Sequence, residues 1–104
     1  MPTRKEPASV RVHIYEECDV DCEVVNVSKY AGDQVEWHST GDGFLVKFEE
    51  GSSPFTKCEF EVPPEGCVGS GPAKADTPYA VYHYTIQSRV NLAMSADPDV
   101  NVKH

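Results

Sequence analysis

Cations, long apolar runs and catalytic signatures are all scarce in this chain of 104 residues, and each scarcity closes a class of function. Nine Lys and Arg stand against seventeen Asp and Glu, for a formal net charge of −8. Nucleic acid and anionic membrane surfaces are held by clustered cations, and these are scattered, so neither is expected as a partner. No segment approaches the roughly 20 apolar residues of a membrane-spanning helix, so membrane insertion is not expected. Gly-x-Ser-x-Gly and His-Glu-x-x-His do not occur, and Gly69-Ser70-Gly71-Pro72 resembles a phosphate loop only in composition, without its lysine. The expectation is a protein that is not an enzyme and carries no cofactor.

The opening residues, Met1-Pro2-Thr3-Arg4-Lys5-Glu6-Pro7, are charged and contain no apolar h-region. A cytoplasmic protein is expected on that ground, with a mature secreted or periplasmic domain as the alternative. The length suits one domain with one core. Residues 1–9 read as a flexible N-terminal arm and 10–104 as a single domain.

What the chain does have is short alternating apolar runs punctuated by Gly, Pro and Asp, with no convincing amphipathic helix. Val10, Val12 and Ile14 alternate with Arg11 and His13, as in a strand with one buried face. Val25 and Val27 form a second run that starts near Cys22. After the Gly32-Asp33 turn, Val35 and Trp37 alternate with Gln34, Glu36 and His38. Phe44, Val46 and Phe48 follow the Gly41-Asp42-Gly43 turn, and Cys58, Phe60 and Val62 follow Pro54. The stretch Gly69 to Asp76 reads as the longest loop. Tyr82, Tyr84 and Ile86, then Val100 and Val102, complete about seven strands, which suggests an all-β, two-sheet antiparallel or mixed sandwich.

The order of these motifs carries more information than any one of them. Gly32-Asp33-Gln34-Val35-Glu36-Trp37, then Phe44 to Phe48, then Tyr82-His83-Tyr84-Thr85-Ile86, then Asp97-Pro98-Asp99-Val100 resembles the cupredoxin-like fold, a Greek-key sandwich. In that family the first copper-binding His directly precedes the strand that Leu45-Val46-Lys47-Phe48 resembles; Phe44 stands there. The remaining ligands, a Cys, a His and usually a Met, lie on one tight loop after the Tyr-containing strand, and no cysteine follows Cys67. His38, Cys67, His83 and Met94 occur in a suitable order but are too widely spaced to converge as a trigonal His₂Cys site. The resemblance is therefore to metal-free cupredoxin-like domains, and no blue copper site is expected.

Four cysteines leave disulfides, free thiols and metal ligation open, and three complete pairings exist. Cys58 and Cys67 flank a hairpin-like segment that a disulfide would close. Cys18-Asp19-Val20-Asp21-Cys22 has the cysteine spacing of the binuclear copper centres in another branch of the same fold. Those centres carry a His four residues later, where this chain has Asn26. Read locally, His13, Cys18 and Cys22 form a candidate copper or zinc site if Glu16 to Asp21 turns.

His13 and His38 fall on the polar parity of their strands. In cupredoxin-like sheets the first and third strands are neighbours, which sets the two imidazoles side by side on the outer face. They read first as ordinary exposed histidines and second as a surface metal or pH-sensitive patch. His83 reads as a surface strand residue and His104 as a terminal one. Phe44, Phe55 and Tyr79 adjoin loops and are candidates for the apolar centre of a protein-partner contact patch, or for core rim packing. The functional expectation is a non-catalytic binding or structural module with an unknown protein partner; the alternative is a copper- or zinc-binding protein using the Cys18–Cys22 turn.

Overall fold

The computed structural model describes residues 8–15, 19–49, 51–89 and 95–103. Among them are nine strands and no helix: β1 (Ser9–Ile14), β2 (Val24–Ser28), β3 (Gln34–Ser39), β4 (Phe44–Phe48), β5 (Glu59–Val62), β6 (Cys67–Gly69), β7 (Ala80–Ser88), β8 (Ser95–Ala96) and β9 (Asp99–Lys103). They form two sheets. The smaller has the order β1-β3-β6, and the larger β2-β9-β7-β4-β5, with β8 pairing β7. The β1–β3 and β2–β9 pairs are parallel and the rest antiparallel, so both sheets are mixed or antiparallel as expected.

The alternating pattern predicts which side chains turn inward. Val12, Ile14, Val35, Trp37, Phe44, Val46, Phe48, Phe60, Val62, Tyr84, Ile86, Val100 and Val102 are all buried. Period-two alternation places them on the facing surfaces of the two sheets, where burial of apolar area drives the sheets together. Aromatic rings fill the centre. Trp37 of the small sheet packs against Phe60 (5.1 Å between centroids) and Tyr84 (5.6 Å) of the large one. Its indole N–H donates to the Tyr84 hydroxyl at 3.2 Å, so both polar atoms are satisfied in the interior. Burial pushes the Tyr84 phenol from 10.0 up to about 12, because the ionised form is excluded from a dry core more strongly than Trp37 stabilises it.

The turns follow from residue chemistry. Between β2 and β3 the buried Asp33 carboxylate accepts from the Ser28 and Ala8 amides, both at 3.0 Å, and Gly32 supplies a φ of 78°. Ala8 and Ser9, at the inner end of the expected arm, are thus already joined to the sheet, and β1 begins at Ser9.

Two short strands were not legible in advance. The sequence places Gly69 at the start of a loop, yet it closes β6, which runs antiparallel to β3. β8 adds two residues beside β7. The β3–β6 pair is locked where Val35 N–H donates to the buried Ser70 Oγ at 2.9 Å and Ser70 N–H donates to the Val35 carbonyl at 2.8 Å.

Candidate metal centre

The ordered set His38, Cys67, His83 and Met94 does not converge. His38 and Cys67 lie on the outer face of the small sheet, directly opposite each other in the β3–β6 register. His83 lies on the outer face of the large sheet, with its side chain 81% exposed and Nδ1 paired with Asp99. The whole core separates the two faces. Met94 and His104 fall outside the described residues.

The acidic turn is partly visible. Ile14 and Val20 form an isolated antiparallel bridge, so the chain reverses between them, as the candidate site required. His13 N–H donates to Asp21 Oδ1 at 2.9 Å, and the His13 ring faces Asp21 Oδ2 at 3.6 Å. Cys22 turns the other way: its thiol donates to the Val24 carbonyl at 3.0 Å and packs against the core. Cys18 lies outside the described residues. Cys22, Cys58 and Cys67 are free thiols.

Of the three aromatic residues considered for a contact patch, Phe44 and Phe55 are interior, each 1% exposed. Phe55 meets Phe48 edge-on at 5.7 Å. Phe44 follows the β4 stripe inward and Phe55 tucks into the core from the β4–β5 connection, so only Tyr79 of the three, 58% exposed, offers surface, with the Lys29 ammonium 5.2 Å from its ring.

The densest group of metal-competent donors among the described residues is on the outer face of the small sheet. Parallel pairing of β1 with β3 sets His13 opposite His38, as the sequence suggested, and their ring centroids are 5.5 Å apart. Antiparallel pairing of β3 with β6 sets Cys67 on the other side of His38. Two residues earlier on β3, Glu36 shares that face, since alternate strand residues point the same way. Donor atoms of Glu36, His38 and Cys67 all lie within 4.8 Å of one another, and Glu36 Oε1 is 2.5 Å from His38 Nε2. Arg11, 70% exposed, approaches the same carboxylate oxygen at 3.7 Å. Gly69, opposite Glu36, adds no side chain over the group.

Sequence reasoning set His13 beside His38 and named Cys67 with a histidine only in the ordered set of His38, His83 and Met94; it did not reach Glu36. The signal for Glu36 was present, because it shares the polar parity of His38. The placement of Cys67 opposite His38 was not legible, because β6 is three residues long and carries no buried stripe.

Comparison with known proteins bears on the fold. No protein-family model and no curated protein matches this sequence. Solved structures do match. A proline-to-glycine mutant of amicyanin, in reduced Cu(I) form at pH 4, superposes with a TM-score of 0.59 at 18% identity over 91% of this chain and 82% of that one. A methionine-to-alanine mutant of amicyanin with Cu(I) gives 0.59 at 17% identity, over 98% of this chain and 95% of that one. An oxidised methionine-to-lysine mutant gives 0.55 at 15% identity with the same coverage. At this identity the likeness establishes architecture, and the architecture is an all-β, cupredoxin-like sandwich.

Proposed function

We propose that this chain is a non-catalytic binding or structural module, a cupredoxin-like sandwich without a type 1 copper site. Fold does not carry function with it, so the reading rests on particular residues. Phe44 is the observation that carries it. It stands where the resemblance puts the first copper ligand, it is 1% exposed, and its ring has no donor atom. Its β7 partner in the register is Ser88, and the segment from Arg89 to Pro98 that leads towards β9 contains neither cysteine nor histidine. A type 1 site needs two imidazoles and a thiolate converging on one ion. The residues at this end of the sandwich do not fit that ion.

In its place the module offers exposed loops and sheet edges, with Tyr79, its ring beneath the Lys29 ammonium, as an aromatic contact for a protein partner. Tyrosine suits such a role because it brings large contact area with little rotamer entropy to lose.

The test is Cu²⁺ titration of the reduced protein, followed by visible absorption and electron paramagnetic resonance. The expected result is no intense blue thiolate-to-copper band and no narrow copper hyperfine splitting. An intense blue product whose colour vanishes in Cys67→Ser would overturn the reading. Copper held elsewhere on the surface with weak colour and ordinary hyperfine splitting leaves it standing.

A further inference from the structure

We propose that the outer face of the β1-β3-β6 sheet is a zinc-class divalent metal site, with Glu36, His38 and Cys67 as ligands and His13 as a positioning residue. This stands apart from the missing copper site, at a different place and with different donors. A carboxylate, an imidazole and a thiol are the three side chains from which zinc sites are built. Here they come from two adjacent strands and already share a space 4.8 Å across. Tetrahedral zinc, at about 2.0–2.3 Å from each ligand, separates its donors by roughly 3.4 Å, so seating an ion takes shifts of about 1–1.5 Å, the Glu36–His38 pair opening from 2.5 Å and the wider separations closing.

Core packing does not account for the arrangement, since the group lies on the outer face. The Glu36–His38 contact alone is a partly exposed surface pairing of the kind that adds little to stability, which gives little reason to add a thiol beside it. The pieces around the group suit a cation. Asp21 lies 3.6 Å behind His13, and the ring of His13 packs 5.5 Å from that of His38, on the side away from Cys67. An imidazole held by a carboxylate and set against a ligand ring is the kind of outer-sphere support that fixes a ligand's orientation. Among the described residues, the one cation in contact with the group is Arg11, whose exposed guanidinium can leave Glu36 for solvent at small cost.

Cys67 is exposed, so three protein ligands would leave a fourth position open to water. Loading releases the thiol proton, and the thiolate, imidazole and carboxylate then donate electron pairs to the ion with no change of oxidation state.

Two measurements on the reduced full chain test this. The first loads Co²⁺ as a spectroscopic probe and Zn²⁺ in competition with a chromophoric chelator. Cobalt is expected to give thiolate charge-transfer absorption in the near ultraviolet, lost in Cys67→Ser and kept in Cys22→Ser and Cys58→Ser. Zn²⁺ affinity should fall more than about 100-fold in Cys67→Ser and His38→Ala, and about 10-fold in His13→Ala, the range for an outer-sphere partner. The second measurement needs no variant: Zn²⁺ should shield Cys67 of the native protein from alkylation by iodoacetamide, read by peptide mass mapping. Absence of cobalt–thiolate absorption, its survival in Cys67→Ser, its loss in Cys22→Ser instead, or Cys67 alkylation unaffected by Zn²⁺ would each overturn the site.

Discussion

Trp37 and Tyr84 tie the two sheets together, the indole N–H donating to the phenol oxygen at 3.2 Å across the buried interface. Removing the acceptor by Tyr84→Phe preserves shape but leaves a buried N–H unpaired. Such a group costs about 1–3 kcal/mol. Thermal unfolding should show the midpoint lowered by about 4–8 °C per kcal/mol for a domain of this size. An unchanged midpoint would mean that the hydrogen bond contributes nothing.

The same phenol makes stability depend on alkaline pH. In the unfolded chain Tyr84 ionises near 10.0, whereas in the fold burial holds its pKa at about 12. Between those values the unfolded state has lost a proton that the folded state keeps, so stability falls as pH rises. The contribution is fully present below pH 10 and is lost progressively through about 12, amounting to about 2–3 kcal/mol at 1.36 kcal/mol per pKa unit. Urea unfolding at several pH values above 9 should show this decline, and Tyr84→Phe should flatten it.

Phe44 and Tyr79 are expected to respond very unequally to truncation. Phe44→Ala empties a fully buried position and should cost about 3–5 kcal/mol in urea unfolding. Tyr79→Ala, on the surface, should stay within about 0.5 kcal/mol. If Phe44→Ala were equally mild, Phe44 would not be the core residue that its burial indicates.

Ser70 secures the β3–β6 pair through its buried hydroxyl, which accepts from Val35 N–H at 2.9 Å. Ser70→Ala should cost about 1–3 kcal/mol by leaving that amide without a partner. It should also speed hydrogen exchange at Val35 more than at β4 amides, and uniform acceleration across both sheets would count against a local lock. Because β6 carries Cys67, the variant is expected to loosen any Zn²⁺-dependent shielding of that thiol as well.

Much of the fold was readable because its information is local. Val35 and Trp37 alternate with Glu36 and His38, and that pattern alone decides which side faces the core. The stripe from Phe44 to Phe48 works the same way, which is why Phe44 goes inward although it borders the Gly41-Asp42-Gly43 turn. β6 is not legible in the sequence because Cys67, Val68 and Gly69 have no buried alternation, and the strand pairs along an edge that β3 offers. The acidic Cys18–Cys22 turn drew attention through spacing alone, and spacing does not say which way a side chain turns; Cys22 bonds to Val24 O.

The sequence by itself determined the strand class and the inward stripe of each strand. These depend on period-two alternation and on residue identity, which act over a few positions. Only the tertiary structure decided that Cys67 joins Glu36 beside His38, whereas the neighbourhood of His13 and His38 already followed from the fold resemblance. That meeting depends on strand register between segments far apart in the chain, set by backbone hydrogen bonds and by core packing on the opposite face.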